Sequence, residues 1–135
     1  MESTELSIQT GSDVTTVDIT SDVAAFCEGK GDGLVSIFLP HATAGVALFE
    51  TGAGSEADVL ASIEELWPAQ HGKWRHEHGS PGHGRDHVLP AFISPSLTIP
   101  VLGGSMQLGT WQSVVIVDTN IDNPSRKVRV SFLAG

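Results

Sequence analysis

The sequence predicts a single α+β domain over residues 1–135, built on a mixed, mostly antiparallel β-sheet with two to three short helices. Three observations carry this expectation. Short apolar or alternating segments of strand character outnumber helical ones. The helical segments interrupt the strands singly instead of alternating with them. No internal repeat or linker divides the 135 residues, a length that buries one core without disulfides.

Taken in order, Leu6 to Gln9 and Val14 to Ile19 read as two strands around the turn Gly11-Ser12-Asp13. Thr20 or Ser21 can cap a short helix through Val23, Ala24, Ala25 and Phe26 that stops at Gly29. Leu34 to Leu39 is a continuous apolar run, the pattern of a strand buried on both faces. Gly45 to Phe49 is a further strand, ending at Glu50. Ser55 and Asp58 have capping-box spacing. Val59, Leu60, Ile63, Leu66 and Trp67 then recur at helical spacing until Pro68 stops the helix. Residues 69–85 are polar and rich in glycine and histidine, a long loop of the kind that is either functional or disordered. Asp86 is placed to cap a short helix from His87 to Ile93, with Pro90 in the first turn, where its missing N–H costs little. Strands follow at Leu97 to Leu102, Met106 to Leu108, Ser113 to Asp118 and Lys127 to Leu133.

Composition narrows the function classes. Sixteen acids against seven bases give a net charge of -9, which argues against nucleic acid, because a phosphate backbone needs a basic footprint. An anionic small molecule remains compatible if one or two of the scattered bases converge. No apolar run approaches the roughly 20 residues that span a bilayer, and no basic-then-apolar leader opens the chain. Cys27, the single cysteine, cannot form an intrachain disulfide and fits a reducing compartment. The expectation is a cytoplasmic, soluble protein with no membrane partner.

The chemistry-bearing feature is histidine. There are six, at positions 41, 71, 76, 78, 83 and 87. Imidazole is the commonest metal ligand and the side chain most suited to proton transfer near neutral pH. Three converging imidazoles leave a fourth position of zinc open. His76-x-His78 and His83-x3-His87 are both possible ligand pairs, the second only if it is helical; the alternative is a solvated, His-rich loop. No HExxH or CxxC pattern is present. Glu50, after a strand and before a Gly-rich loop, is placed for a general base or an ordinary strand-end charge. Asp58 reads as a helix-start charge, Cys27 as a small buried hydrophobe, and Trp111 as a stacking platform or a core residue.

The segment His41-Ala42-Thr43-Ala44-Gly45-Val46-Ala47-Leu48-Phe49-Glu50 resembles the H-x-T-[AS]-[GS]-[LV]-x-[IL]-[NQ]-E signature of the YjbQ-type family. Later landmarks follow in order. Trp74-x-His76 is similar to the family's Y-x-H, and His87 stands where its H-[IL]-K histidine does. Pro95-Ser96-Leu97-Thr98-Ile99-Pro100-Val101 matches its [PT]-S-L-x-[IL]-P-V strand, and Gly109-Thr110-Trp111-Gln112 its G-T-W-Q. Ser125-Arg126 matches the arginine that opens its last strand. Several features depart from the pattern: Leu89 replaces a lysine, Phe49 an Asn or Gln, and Ser94 a glycine, and the stretch between Glu50 and the helix is one residue short and lacks the usual acid-Pro.

The resemblance implies a homotrimer with sites near subunit boundaries. It implies a site of His41, His76 and His87, with His71, His78 and His83 as solvated extras. It also implies a secondary, thiamine-phosphate synthase-like activity that joins a thiazole phosphate to a pyrimidine diphosphate. On this expectation the three histidines bind a divalent metal, zinc, and Glu50 orients a ligand or accepts a proton. Arg126 offers a forked anion contact, with Gln112 and Thr43 as hydrogen-bonding lining. The ligand is then a small phosphorylated or anionic molecule. A metal-free version keeps these residues as acid–base groups. A non-enzymatic version makes the protein a trimeric binder of a metal ion or small anion.

Overall fold

The computed structural model describes all 135 residues. Its strands are β1 (Glu2–Gln9), β2 (Thr15–Asp18), β3 (Gly33–Phe38), β4 (Ala44–Phe49), β5 (Ser96–Leu102), β6 (Ser105–Met106), β7 (Ser113–Asp118) and β8 (Ser125–Ala134). The helices are α1 (Thr20–Cys27), α2 (Ser55–Leu66) and α3 (His83–Val88), the last continuing into a 3-10 turn at Leu89–Ala91. Five strands form one sheet in the order β1-β8-β3-β5-β6, and three form another in the order β2-β7-β4.

The α+β class holds, but one mixed sheet is replaced by two wholly antiparallel ones. A parallel pair needs a crossover between strands of the same sheet. Here the long connection containing α2 and α3 joins β4 to β5, which lie in different sheets.

The main core lies where the inner faces of the sheets meet. Val35, Ile37 and Leu39, with Ile99, Val101, Val128, Val130 and Phe132, pack against Val46, Val114 and Ile116. Val23 and Cys27 of α1 close one side of it. A smaller cluster of Ile63, Leu89 and Val117 glues α2 and the 3-10 turn to the other face of the three-stranded sheet. The strand covered on both faces is therefore β7, whose Val114 to Asp118 are all buried. In β3, read from its apolar run as doubly buried, Leu34 and Phe38 are exposed while Val35 and Ile37 are buried. The run is continuous because both faces are apolar, although only one is covered within the chain.

Three helix starts also differ from expectation. Ile19, not Thr20 or Ser21, is the N-cap of α1, with no side-chain cap bond. Gly54, not Ser55, is the N-cap of α2, and the Glu56 carboxylate accepts the Gly52 N–H at 2.6 Å. Helix α3 begins at His83 and stops at Val88, so Asp86 is an interior residue instead of a cap. Its buried polar face, Arg85 and Asp86, hides the apolar periodicity by which helices are read.

Candidate functional site

Helix α3 puts His83 and His87 one turn apart on one face, and their Nε2 atoms are 3.1 Å apart. His76 joins them from the preceding loop. One ring nitrogen from each of His76, His83 and His87 lies within 4.8 Å of the others, a spacing that could hold a metal ion. His78 packs beside them, its ring centroid 4.5 Å from that of His76 and 4.3 Å from that of His83.

The loop reaches the helix because residue 84 has no side chain. A Cβ on Gly84 would collide with the His76 carbonyl oxygen and the Trp74 side chain. The helix is anchored from beneath. Arg85 Nε donates to Asp86 Oδ1 at 2.7 Å, and Arg85 Nη1 donates to Glu64 and to the Trp67 carbonyl. Asp86 also accepts from Thr119 Oγ1 at 2.6 Å and from Asn120 Nδ2 at 3.1 Å. Burial pushes the His87 imidazole below its ordinary value, and neighbouring His76, His83 and His78 push it further. His87 is therefore a neutral donor at pH 7.

A second buried group lies beside this one. Arg126, 1% exposed, donates from Nε and Nη2 to the two oxygens of Asp118, at 2.6 and 2.9 Å. Its Nη2 also donates to Thr43 Oγ1 at 3.0 Å, while Nη1 has no partner. The two groups are joined where Asp118 Oδ1 accepts the Asn120 N–H at 3.0 Å. Thr43 and Arg126 are thus tied to the histidine cluster through Asp118 and Asn120. The expected forked anion contact is not available, because Asp118 already occupies the fork.

His41 stands apart from His76 and His87. Its Nε2 lies 2.9 Å from the Lys127 N–H and 3.2 Å from the Lys127 carbonyl oxygen. The amide can only donate, so the nearer contact makes Nε2 an acceptor. Since β3 stops pairing with β8 at Phe38 and Arg129, the ring caps the next ladder position of β8. Burial, then the Arg126 charge, lowers the His41 pKa and keeps the ring neutral.

Glu50 and Gln112 are at the other end of the three-stranded sheet. The β4–β7 register runs from Ala44 opposite Asp118 to Phe49 opposite Ser113, about 17 Å at the antiparallel rise. Glu50 is exposed there, and Gln112 Oε1 closes its own turn by accepting the Gly109 N–H at 2.8 Å. Trp111 is 72% exposed.

His83, expected to be a solvated extra, is a half-buried member of the cluster. Its signal was the His83-x3-His87 pair, which needed a helix to count. Asn120 and Asp122 carry no sequence signal, since they meet the histidines only through the fold; Asp86 reads in the sequence only as a helix cap.

The match to the UPF0047 protein YjbQ-like family covers residues 4–135. The chain belongs to this family. Among its relatives is the UPF0047 protein Rv2556c of Mycobacterium tuberculosis, 57% identical over 119 residues, covering 88% of this chain and 89% of the relative. The UPF0047 protein YugU of Bacillus subtilis is 32% identical over 101 residues, 73% of this chain and 74% of YugU. The hypothetical protein APE1520 of Aeropyrum pernix K1 has the same fold at a TM-score of 0.90 and 30% identity, with both chains fully covered. A YbjQ-like protein of unknown function from Sulfolobus solfataricus P2 superposes at 0.91 with 26% identity, over 99% of this chain and 97% of that one. No helix is long and apolar enough to cross a membrane.

Proposed function

We propose that the chain is a metal-dependent enzyme acting on a small phosphorylated heterocycle, with His76, His83 and His87 holding a divalent cation, zinc. The observation that carries this is the convergence of three imidazole nitrogens within 4.8 Å. Imidazole donors suit zinc, and three of them leave a position open to substrate. Bound there, the cation would act as a Lewis acid toward a phosphoryl oxygen.

Charge distribution supports an anionic ligand. Arg85, Arg126, Lys30, Lys127 and Arg129 are all paired with carboxylates. The two uncommitted bases of this acidic chain are Lys73 and Arg75, and both lie on the loop that bears His76 and His78. The reaction that fits this ligand class joins a thiazole phosphate to a pyrimidine diphosphate, with a C–N bond formed and pyrophosphate released. A homotrimer is part of the same reading.

One observation favours a second reading, a non-enzymatic trimeric binder of a metal or small anion. Asp86, Asp122 and Glu77 are already hydrogen-bonded, and Glu50 lies at the far end of the sheet, so each carboxylate near the cluster is already engaged within one chain. Elemental analysis of tag-free protein tests the site. One zinc per chain is expected, lost in both His87→Ala and His83→Ala with the fold retained; full stoichiometry in either variant sinks the three-histidine site. Turnover of a panel of phosphorylated heterocycles then separates enzyme from binder, which would show saturable binding without product.

A further inference from the structure

We infer that Asp122 is the positioning residue of the metal site, fixing the proton of His83 on Nδ1 so that Nε2 is presented as the ligand atom; this rests on the metal reading above. Asp122 lies in the β7–β8 turn, outside every motif of the sequence. Its Oδ2 stands 3.0 Å from His83 Nδ1, and it accepts the Ser80 N–H at 3.2 Å and the Ser80 hydroxyl. Asp122 is exposed, and an aspartate in contact with water is ionised at neutral pH and can only accept.

A competing donor faces the same nitrogen, Asn120 Nδ2 at 3.4 Å. Asn120 is oriented by other bonds, since Oδ1 accepts the Asp122 N–H at 3.1 Å and Nδ2 reaches Asp86 at 3.1 Å. The amide therefore has its better acceptor in Asp86, and the nearer group at Nδ1 is the carboxylate. In neutral His83 the proton then sits on Nδ1, and Nε2 carries a bare lone pair facing His87. A carboxylate that holds a ligand histidine in this way sets both its ring orientation and its basicity.

The close fit depends on residue 79. Gly79 has φ +69°, and a Cβ there would lie 2.9 Å from Asp122 Oδ2 and 3.1 Å from His83 Nδ1. The loop, the carboxylate and the imidazole thus meet at a point where residue 79 has no room for a side chain. Asp122 also ties the loop through Ser80, so the test must separate orienting a ligand from tethering a loop.

Zinc affinity is measured by competition with a chromophoric chelator, and the His83 tautomer by 15N NMR of metal-free protein. Wild type is expected to show the Nδ1–H tautomer. Asp122→Ala should lower zinc affinity 10–100-fold and give a mixed tautomer. Asp122→Asn should restore the tautomer and part of the affinity, because its oxygen must stay toward the Ser80 N–H and thus toward Nδ1. Ser80→Ala, which removes one tether but leaves the His83 contact, should stay within a few-fold of wild type. Unchanged affinity and tautomer in Asp122→Ala would overturn the inference while leaving the metal site standing. So would a loss in Ser80→Ala equal to that in Asp122→Ala. Absence of zinc binding by wild type would remove the metal site and this inference together.

Discussion

Asp118 holds two things in place at once: the fork of Arg126 and, through Oδ1, the backbone of Asn120. Both members of the ion pair are essentially buried, at 0% and 1% side-chain exposure. Removing one partner strands the other charge in the interior, a loss of about 3–5 kcal/mol. Asp118→Ala should therefore lower unfolding free energy by that amount in urea titration, whereas Asp58→Ala, on an exposed helix turn, should change it by under about 0.5 kcal/mol. Equal stability of the two variants would show that the pair is not structural. Gly84 illustrates the opposite dependence, on an absent side chain, since the loop carrying His76 lies against its α-carbon.

Helix α3 is short, yet its two histidines can act as a pair because buried polar bonds, not apolar packing, hold it. Burial of its second histidine makes the fold sensitive to pH. His87 on this helix and His41 at the β8 ladder both have pKa values lowered in the fold, chiefly by burial. The unfolded chain then binds more protons than the folded one as pH falls below the ordinary histidine value near 6.5, and stability drops with pH there. It is fully present above that value and lost as pH descends through the lowered ones. The melting temperature of metal-free protein should therefore be higher at pH 7.5 than at pH 5.5, with a smaller difference in His87→Gln. A melting temperature flat across this interval would contradict the assignment of burial as the cause. Legibility at this scale was uneven. The positions of α1, α2 and most strands follow from periodicity, but α3 does not, because its buried face is Arg85 and Asp86.

Across the whole molecule, the three-stranded sheet is covered on both sides and the five-stranded sheet on one. The outer face of the latter exposes Leu34 and Phe38 of β3, Leu102 of β5 and Leu133 of β8, and Leu34 is paired directly with Leu133. Apolar groups clustered in this way mark an association surface, which accords with the proposed homotrimer. Light scattering should give a mass three times the 14.2 kDa chain, and the double variant Phe38→Glu/Leu133→Glu should give a monomer. A monomeric wild type would refute the trimer. Association would also bear on His41, Glu50 and Gln112, which one chain does not bring to the cluster.

What the sequence determined by itself was local: the α+β class, the major strands, the apolar positions and a histidine-rich segment with the family's ordered motifs. These depend on residues close in the chain, where a period of two or 3.6 is visible. Which histidines converge was decided only by the tertiary structure. His83 enters the cluster because Gly84 admits the loop, and because Asp122, thirty-nine residues away, holds its ring. His41 is placed elsewhere because the β3–β8 pairing ends at Phe38 and Arg129 and its ring accepts the Lys127 N–H instead. Contacts of that range leave no periodic trace in the sequence, because they arise from the packing of two sheets and a loop, and not from any local preference.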